Sequence, residues 1–288
     1  MIKPDFFIAG APKCGTTSVA NWLGQHPEVF MSPEKELHFF NTDAQVRRVQ
    51  SLEDYATFFP KERGHYKAVG EASVWYLHSE TAVRNIEVFS GGSAKYIVCL
   101  RDPVDMAYAL HSEHVINGEE TISNFAEAWA IRARKGAQQP DLPGFVEKKY
   151  FDYYEACTLG SQLQRMLRQL DRSRVHLVWL EDLSHDPVST LSRIFDFLGV
   201  RDCAGELQLQ AQNTSKLPVS PVASRLIAKA GHLKRRLGLR RGYGVLSWLK
   251  ERNIVRRPRA ALSADLRQQL EHEFAAEIDL LREYRTPK

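Results

Sequence analysis

Phe6-Phe7-Ile8-Ala9-Gly10-Ala11-Pro12-Lys13-Cys14-Gly15-Thr16-Thr17-Ser18 is the stretch from which the fold can be read. It opens with four apolar residues without alternation, which is how a strand covered on both faces reads. Gly10 and Gly15 bracket a tight turn and let a ligand approach the backbone closely. Thr16, Thr17 and Ser18 lead into a helix expected over 17–23, stopped near Gly24 and Pro27. The first N–H groups of a helix lack intrahelical acceptors and sit at its positive end, so they bind phosphate oxygens. Lys13 places a cation in the loop, and the three hydroxyls add donors. Buried strand, anion-binding loop and helix, in that order, are the seed of an α/β fold.

The rest of the chain extends the alternation. Apolar runs at 96–100 and 175–180, with a weaker one at 68–70, read as further buried strands. Helical spacing marks 159–170, 187–198 with Gly199 as its stop, and 263–284. In the last of these Ser263 is the expected N-cap, and Leu266, Leu270, Phe274, Ile278 and Leu281 form the stripe. Strands alternating with helices predict a mainly parallel central sheet flanked by helices. No internal repeat or low-complexity tract interrupts it, and the Pro-rich run 217–221 reads as a loop. The expectation is a single domain over 1–288, with a basic helical insertion at about 222–260 and a final helix at about 263–284.

Composition excludes several classes. With 288 residues, 43% hydrophobic and 26% charged, the chain is neither disordered, collagen-like nor a disulfide-stapled miniprotein. No run of about 18 apolar residues encodes a membrane-spanning helix. Met1 to Asp5 pass directly into the first strand without a signal-peptide layout. The four cysteines, Cys14, Cys99, Cys157 and Cys203, lack CxxC spacing, so the expectation is reduced thiols, no structural zinc and a cytoplasmic location. The net charge of +4 is uneven. The segment bounded by Arg225 and Arg259 holds twelve Lys or Arg against one acid, Glu251. It reads either as a solvated helical face or as a surface for an acidic polymer, substrate or lipid, with no specific nucleic-acid signature.

Against the nucleoside-triphosphatase pattern G-x-x-x-x-G-K-[ST], Gly10, Gly15 and Thr17 fall in place. Thr16 occupies the lysine slot, and the loop's cation, Lys13, is displaced to mid-loop. A mid-loop ammonium faces a different part of the bound anion, which argues against magnesium-nucleoside-triphosphate chemistry. A phosphate-loop kinase or nucleotide hydrolase stays open as the alternative enzyme, with Asp102 and Asp182 the near candidates for holding magnesium. A non-catalytic polyanion-binding protein is the alternative from another class.

The run Pro12 to Ser18 resembles the 5′-phosphosulfate loop of sulfotransferases that use 3′-phosphoadenosine 5′-phosphosulfate, in particular the bacterial, carbohydrate or heparan-type members. The resemblance implies a three-layer fold like that of P-loop nucleoside triphosphatases, and that nucleotide as co-substrate with no metal. It implies that Lys13 contacts the 5′-phosphate and the bridging oxygen of the leaving group, and that Cys14, Gly15, Thr16, Thr17 and Ser18 line the nucleotide site. Glu34-Lys35-Glu36-Leu37-His38-Phe39-Phe40 is similar to the family's K-E-x-H-F-F segment, which implies that Glu36 is the general base; His38 reads either as a packing histidine between Leu37 and Phe39 or, lying two residues from Glu36, as the competing base. Burial beside Phe39 and Phe40 should raise the Glu36 pKa. Were the segment extended, positions 36 and 38 would point the same way.

Tyr96 to Asp105 resembles the element that binds the 3′-phosphate, with Arg101 as its arginine. The family commonly has arginine and serine five and eight residues further on. Met106 and Ala109 stand there instead, and Ser112 lies one turn beyond. Gly70-Glu71-Ala72-Ser73-Val74-Trp75-Tyr76-Leu77 is similar to a segment at the acceptor cleft, where Ala72 replaces a frequent lysine. The stretches 180–187 and 194–199 follow the family's E-D-L, D-P and F-L-G elements. Asn213-Thr214-Ser215-Lys216 stands where a late loop closes over the nucleotide, which makes Lys216 a phosphate contact. The resemblance covers about 5–217 and the last helix. It implies an acceptor hydroxyl on a carbohydrate or glycoconjugate.

Overall fold

A computed structural model describes residues 2–45, 47–133, 142–210, 216–236, 245–256 and 259–285. In chain order the first half contains β1 (Phe6–Gly10), α1 (Thr16–Leu23), β2 (Val29–Met31), α2 (Leu52–Ala56), β3 (Ala68–Ala72), α3 (Ala82–Ser90) and β4 (Lys95–Leu100). Then come α4 (Pro103–Ile116), α5 (Phe125–Arg132), α6 (Tyr153–Ala156), α7 (Leu159–Leu167), β5 (Val175–Trp179), α8 (Leu180–His185) and α9 (Pro187–Leu198). The last part carries β6 (Lys216–Pro218), α10 (Pro221–Arg236), α11 (Val245–Arg252), β7 (Ile254–Arg256), α12 (Ala264–Glu273) and α13 (Ala275–Tyr284). Backbone contacts group the chain into two units: Met1–Asp102, Leu159–Gln212 and Glu277–Lys288 in the first, Pro103–Thr158 and Asn213–Ala276 in the second.

The first unit is built on a five-stranded parallel sheet of order β2-β3-β1-β4-β5. Every residue of β1 and β3 is buried, as is β4 after Lys95, which is why these runs show no polar alternation. Phe7, at the sheet centre, meets Phe40 edge-on at 5.7 Å and Tyr96 at 6.1 Å between ring centroids. Helix α1 packs on β1, β2 and β3, while α8 and α9 pack on β5. The local signals around α9 act as expected. Asp186 accepts from the Ser189 N–H, Pro187 opens the helix, and Gly199 closes it in the left-handed conformation. Strand β2 has three residues and only Val29 buried, too short and too exposed for a periodicity to register.

The second unit gathers α4, α5, α6, the antiparallel pair β6–β7, and α10 to α12. Its polar centre is the Glu120–Arg132 ion pair, both side chains fully buried. Arg132 donates from Nε to Glu120 Oε2 at 2.7 Å and from Nη2 to Oε1 at 2.8 Å, and the Tyr153 hydroxyl donates to Oε2 at 2.8 Å. Such a pair persists buried because nearly every lone pair is answered.

Ser263 caps α12 as expected, accepting from the Leu266 N–H. The stretch expected as one final helix is divided at Phe274, whose buried ring stacks on Tyr154 at 5.1 Å. Tertiary anchoring of that ring breaks a helical periodicity that runs on across the break. The basic insertion is realised in α10, α11 and β7, with 237–244, 257 and 258 outside the described residues.

Candidate active site

β1 ends in the loop that carries the first set of candidates. The Ala11 N–H donates to the Cys99 carbonyl at 2.7 Å, so the loop begins from the edge of β4. A Cβ on Gly10 would lie 2.9 Å from both Leu77 Cβ and the Val74 carbonyl oxygen. One on Gly15, where φ is +90°, would lie 2.8 Å from Leu183 Cδ2. The first hydrogen bond of α1 closes between the Val19 N–H and the Gly15 carbonyl at 3.2 Å. The N–H groups that precede Val19 at this end therefore have no intrahelical acceptor, the arrangement that suits an anion.

Thr16 and Ser18 are buried, whereas the Thr17 hydroxyl, partly exposed, accepts from Lys35 Nζ at 2.9 Å. Cys14 is buried and its Sγ donates to the Pro12 carbonyl at 3.4 Å. Burial pushes this thiol up against the opposing charge of Arg101, so Cys14 is a packed thiol that offers the loop its backbone. Arg101, past the end of β4, donates from Nη1 to the Lys13 carbonyl at 3.0 Å, which ties the expected 3′-phosphate reader to the loop itself.

The segment carrying Glu36 docks beside β3 through the Glu36 N–H on the Ala72 carbonyl at 2.8 Å. It is not extended. Glu36 has φ 61° and His38 φ 52°, both left-handed, and the two side chains still converge, with His38 Nε2 3.2 Å from Glu36 Oε2. The Val74 N–H donates to Glu36 Oε2 at 3.0 Å, and Lys35 Nζ lies 3.7 Å from Glu36 Oε1. Among the described residues only three non-glycine positions have positive φ: Lys13, Glu36 and His38. Left-handed backbone costs a side-chain-bearing residue on the order of 1–3 kcal/mol and collects where geometry is fixed for function.

Two expectations need correction. Burial does push the Glu36 carboxyl up, but hydrogen bonding and charge from His38, the charge of Lys35 and the Val74 N–H outweigh it, and the net pKa is lowered. Ser112, one turn beyond Ala109, donates to the Tyr108 carbonyl at 2.8 Å within its own helix, so its hydroxyl does not stand in for the missing serine.

Lys35 and Glu71 acquire places that the sequence did not assign. Lys35 joins the loop to the carboxylate through Thr17 and Glu36, with burial lowering its own pKa. Only its position inside the Glu34 to Phe40 motif marked it. Glu71, in β3, is fully buried, and its pKa is pushed up to about 8 chiefly by desolvation. Tyr76 beside it accepts the N–H groups of Phe39 and Phe40 at 3.2 and 3.4 Å, and the Ser73 hydroxyl accepts the His38 N–H at 3.1 Å. The wall behind Glu36 and His38 is thus hydrogen-bonded to their backbone.

Lys216 opens β6 in the second unit and pairs with Arg256. Asn213, Thr214 and Ser215 lie outside the described residues.

Known proteins resemble this chain in sequence and fold. A family model described as "Sulfotransferase domain" matches residues 3–242. The human bifunctional heparan sulfate N-deacetylase/N-sulfotransferase 2 is 27% identical over 205 residues, covering 68% of this chain and 22% of its own length. The membrane-associated sulfotransferase kil1 of Dictyostelium discoideum is 24% identical over 270 residues, covering 68% of this chain and 56% of its own. The chain therefore spans well under two thirds of either relative. A crystal structure of a sulfotransferase from Alicyclobacillus acidocaldarius superposes with a TM-score of 0.62 at 27% identity, over 86% of this chain and 100% of the other.

Proposed function

The chain belongs to the sulfotransferase-domain family, and on that premise we propose that it moves a sulfuryl group from 3′-phosphoadenosine 5′-phosphosulfate to a hydroxyl on a carbohydrate or glycoconjugate. The observation that carries the reading is the coincidence of backbone and chemistry. The three side-chain-bearing residues held at positive φ among the described residues are the loop cation Lys13 and the pair Glu36 and His38. Lys35 links the two halves through Thr17 and Glu36.

The loop suits a phosphate-ended nucleotide. Gly10 and Gly15 let the loop pack tightly on Leu77, Val74 and Leu183 where a Cβ would collide, which fixes its course, and the N–H groups at the start of α1 supply donors. When bound, the nucleotide supplies a sulfuryl group whose bond to the 5′-phosphate oxygen breaks as the acceptor oxygen bonds to sulfur. Lys13 and the loop N–H groups stabilise the charge that gathers on that leaving oxygen. Arg101 reads the 3′-phosphate. Glu36, held ionised, accepts the acceptor's proton at a carboxylate oxygen. A weak base suffices because the hydroxyl becomes strongly acidic as its oxygen bonds to sulfur. His38 and the Val74 N–H aim the carboxylate, and Lys35 keeps it charged. The transfer needs no metal in this scheme, since the leaving phosphate is already seated on backbone N–H groups and an ammonium. The carbohydrate class of acceptor is supported by the heparan sulfate enzymes among the relatives.

Thermal shift with two nucleotides tests the reading. 3′-Phosphoadenosine 5′-phosphate at about a hundred times its Kd should stabilise the protein by about 2.7 kcal/mol, and ATP with magnesium should not. Stabilisation by ATP with magnesium alone would overturn it in favour of a kinase or hydrolase.

A further inference from the structure

Among the described residues eleven large hydrophobic side chains are exposed, and seven of them lie between Val219 and Val255. That stretch overlaps the most basic part of the chain, where twelve Lys or Arg from Arg225 to Arg259 stand against a single acid. Exposed apolar residues scattered singly need no explanation, but a concentration on one element does.

Helix α10 shows how the concentration arises. At about 100° per residue, Val222, Leu226 and Leu233 fall within about 40° of one another. They are 56%, 64% and 56% exposed, and exposed Lys229 shares their stripe. Ser224, on the opposite side, is 4% exposed. Its hydroxyl accepts from Asn253 Nδ2 at 2.8 Å, and Asn253 also accepts the Ser220 N–H at 2.9 Å and donates to the Ser220 carbonyl at 3.0 Å. A polar clip at Ser220 and Ser224 thus holds the helix by the side away from the aliphatic stripe and leaves that stripe facing solvent. Helix α11 packs against α10 and adds Trp248, 50% exposed, with the Arg252 guanidinium 4.4 Å above its ring centroid.

We propose that α10 and α11 dock on a bilayer surface containing anionic lipid. A soluble polyanion would answer the cations and leave the aliphatic stripe in water. A bilayer interface takes both, seating Leu and Trp at the acyl boundary while Lys and Arg meet anionic headgroups. Among the described residues no helix is long and apolar enough to cross a membrane, so the contact lies along the interface.

Co-sedimentation of the full chain with vesicles tests this. Phosphatidylcholine vesicles with about a third phosphatidylglycerol should bind the protein, with salt weakening the binding, while phosphatidylcholine alone should not. The double variant Leu226→Ser and Leu233→Ser should lose about tenfold or more in affinity, because its aliphatic area no longer leaves water. Its thermal unfolding should be unchanged, since both residues are exposed. Lys229→Glu, made separately, should weaken binding to the anionic vesicles. Failure to bind anionic vesicles would overturn the proposal. So would full binding by the double variant together with displacement of the protein from vesicles by soluble heparin, a result that would assign the surface to an acidic polymer.

Discussion

Replacing Glu71 with glutamine should flatten a pH dependence of stability that the wild-type protein carries. Glu71 is fully buried in β3, paired in register with Phe7. Desolvation pushes its carboxyl from the ordinary 4.5 up to about 8, with the Tyr76, Tyr55 and Ser73 hydroxyls opposing and the Glu36 charge adding to the rise. The folded state therefore holds this proton more tightly than the unfolded chain. The resulting stabilisation is complete below about pH 4.5, declines as pH rises toward about 8, and is gone above it. At about 1.36 kcal/mol per pH unit, the loss between about pH 5 and pH 7.5 is about 3 kcal/mol. That is a large share of the roughly 5–15 kcal/mol that holds a domain folded.

His176 works in the other direction. Burial, with the charges of Arg193 and Arg172, lowers its pKa from 6.5 to about 4, so it adds stability as pH rises across that window. Subtracting the Glu71→Gln curve from wild type cancels His176 and isolates Glu71. Urea unfolding of both proteins at half-unit steps from about pH 5 to pH 8 reads the difference. A constant offset between the curves reflects only how well the amide packs. Parallel curves, with no change in their separation across the range, would refute a neutral buried Glu71.

Lys13→Ala should reduce sulfuryl transfer by about 10²-fold or more through loss of leaving-group stabilisation, and steady-state assay with 3′-phosphoadenosine 5′-phosphosulfate checks it. Arg101→Ala should weaken 3′-phosphoadenosine 5′-phosphate about tenfold or more while leaving adenosine 5′-phosphate nearly unaffected, and equal weakening in calorimetric titrations would contradict its assignment. Lys35→Met removes a charge that lowers the Glu36 pKa, so the acidic limb of the kcat/KM profile should move toward neutral pH. An unmoved limb would show that Lys35 acts only on Thr17.

The strand–loop–helix of β1 and α1 was legible because its signals are local: an unbroken apolar run, glycines at a close approach, and hydroxyls at a helix start. The buried strands β3 and β4 followed from the same kind of run, as did β5, whose His176 and Leu177 are only part-buried, and α9 from its Asp-Pro opening and Gly199. What escaped depends on contacts distant in sequence. Strand β2 exists because Val29 to Met31 pair with β3, a partner invisible from three residues. The break at Phe274 is set by a ring packed on Tyr154. Within the site, Lys13, Glu36 and His38 were readable as residue types in motifs, but their left-handed backbone was not. The lowered Glu36 pKa was missed because it depends on His38, Lys35 and the Val74 N–H all reaching one carboxylate, while the sequence showed only apolar neighbours.

Single-turnover transfer of labelled sulfuryl from 3′-phosphoadenosine 5′-phosphosulfate to a panel of carbohydrate acceptors, by wild type, Glu36→Gln and His38→Ala at saturating nucleotide, tests the central claim most directly. Wild type should label at least one hydroxyl-bearing acceptor. Glu36→Gln should be slower by about 10² to 10⁴-fold, with nucleotide affinity hardly changed. His38→Ala should retain more activity than Glu36→Gln. A Glu36→Gln enzyme that transfers at near wild-type rate, beside an inactive His38→Ala that still binds nucleotide, would contradict the account and give the proton to His38.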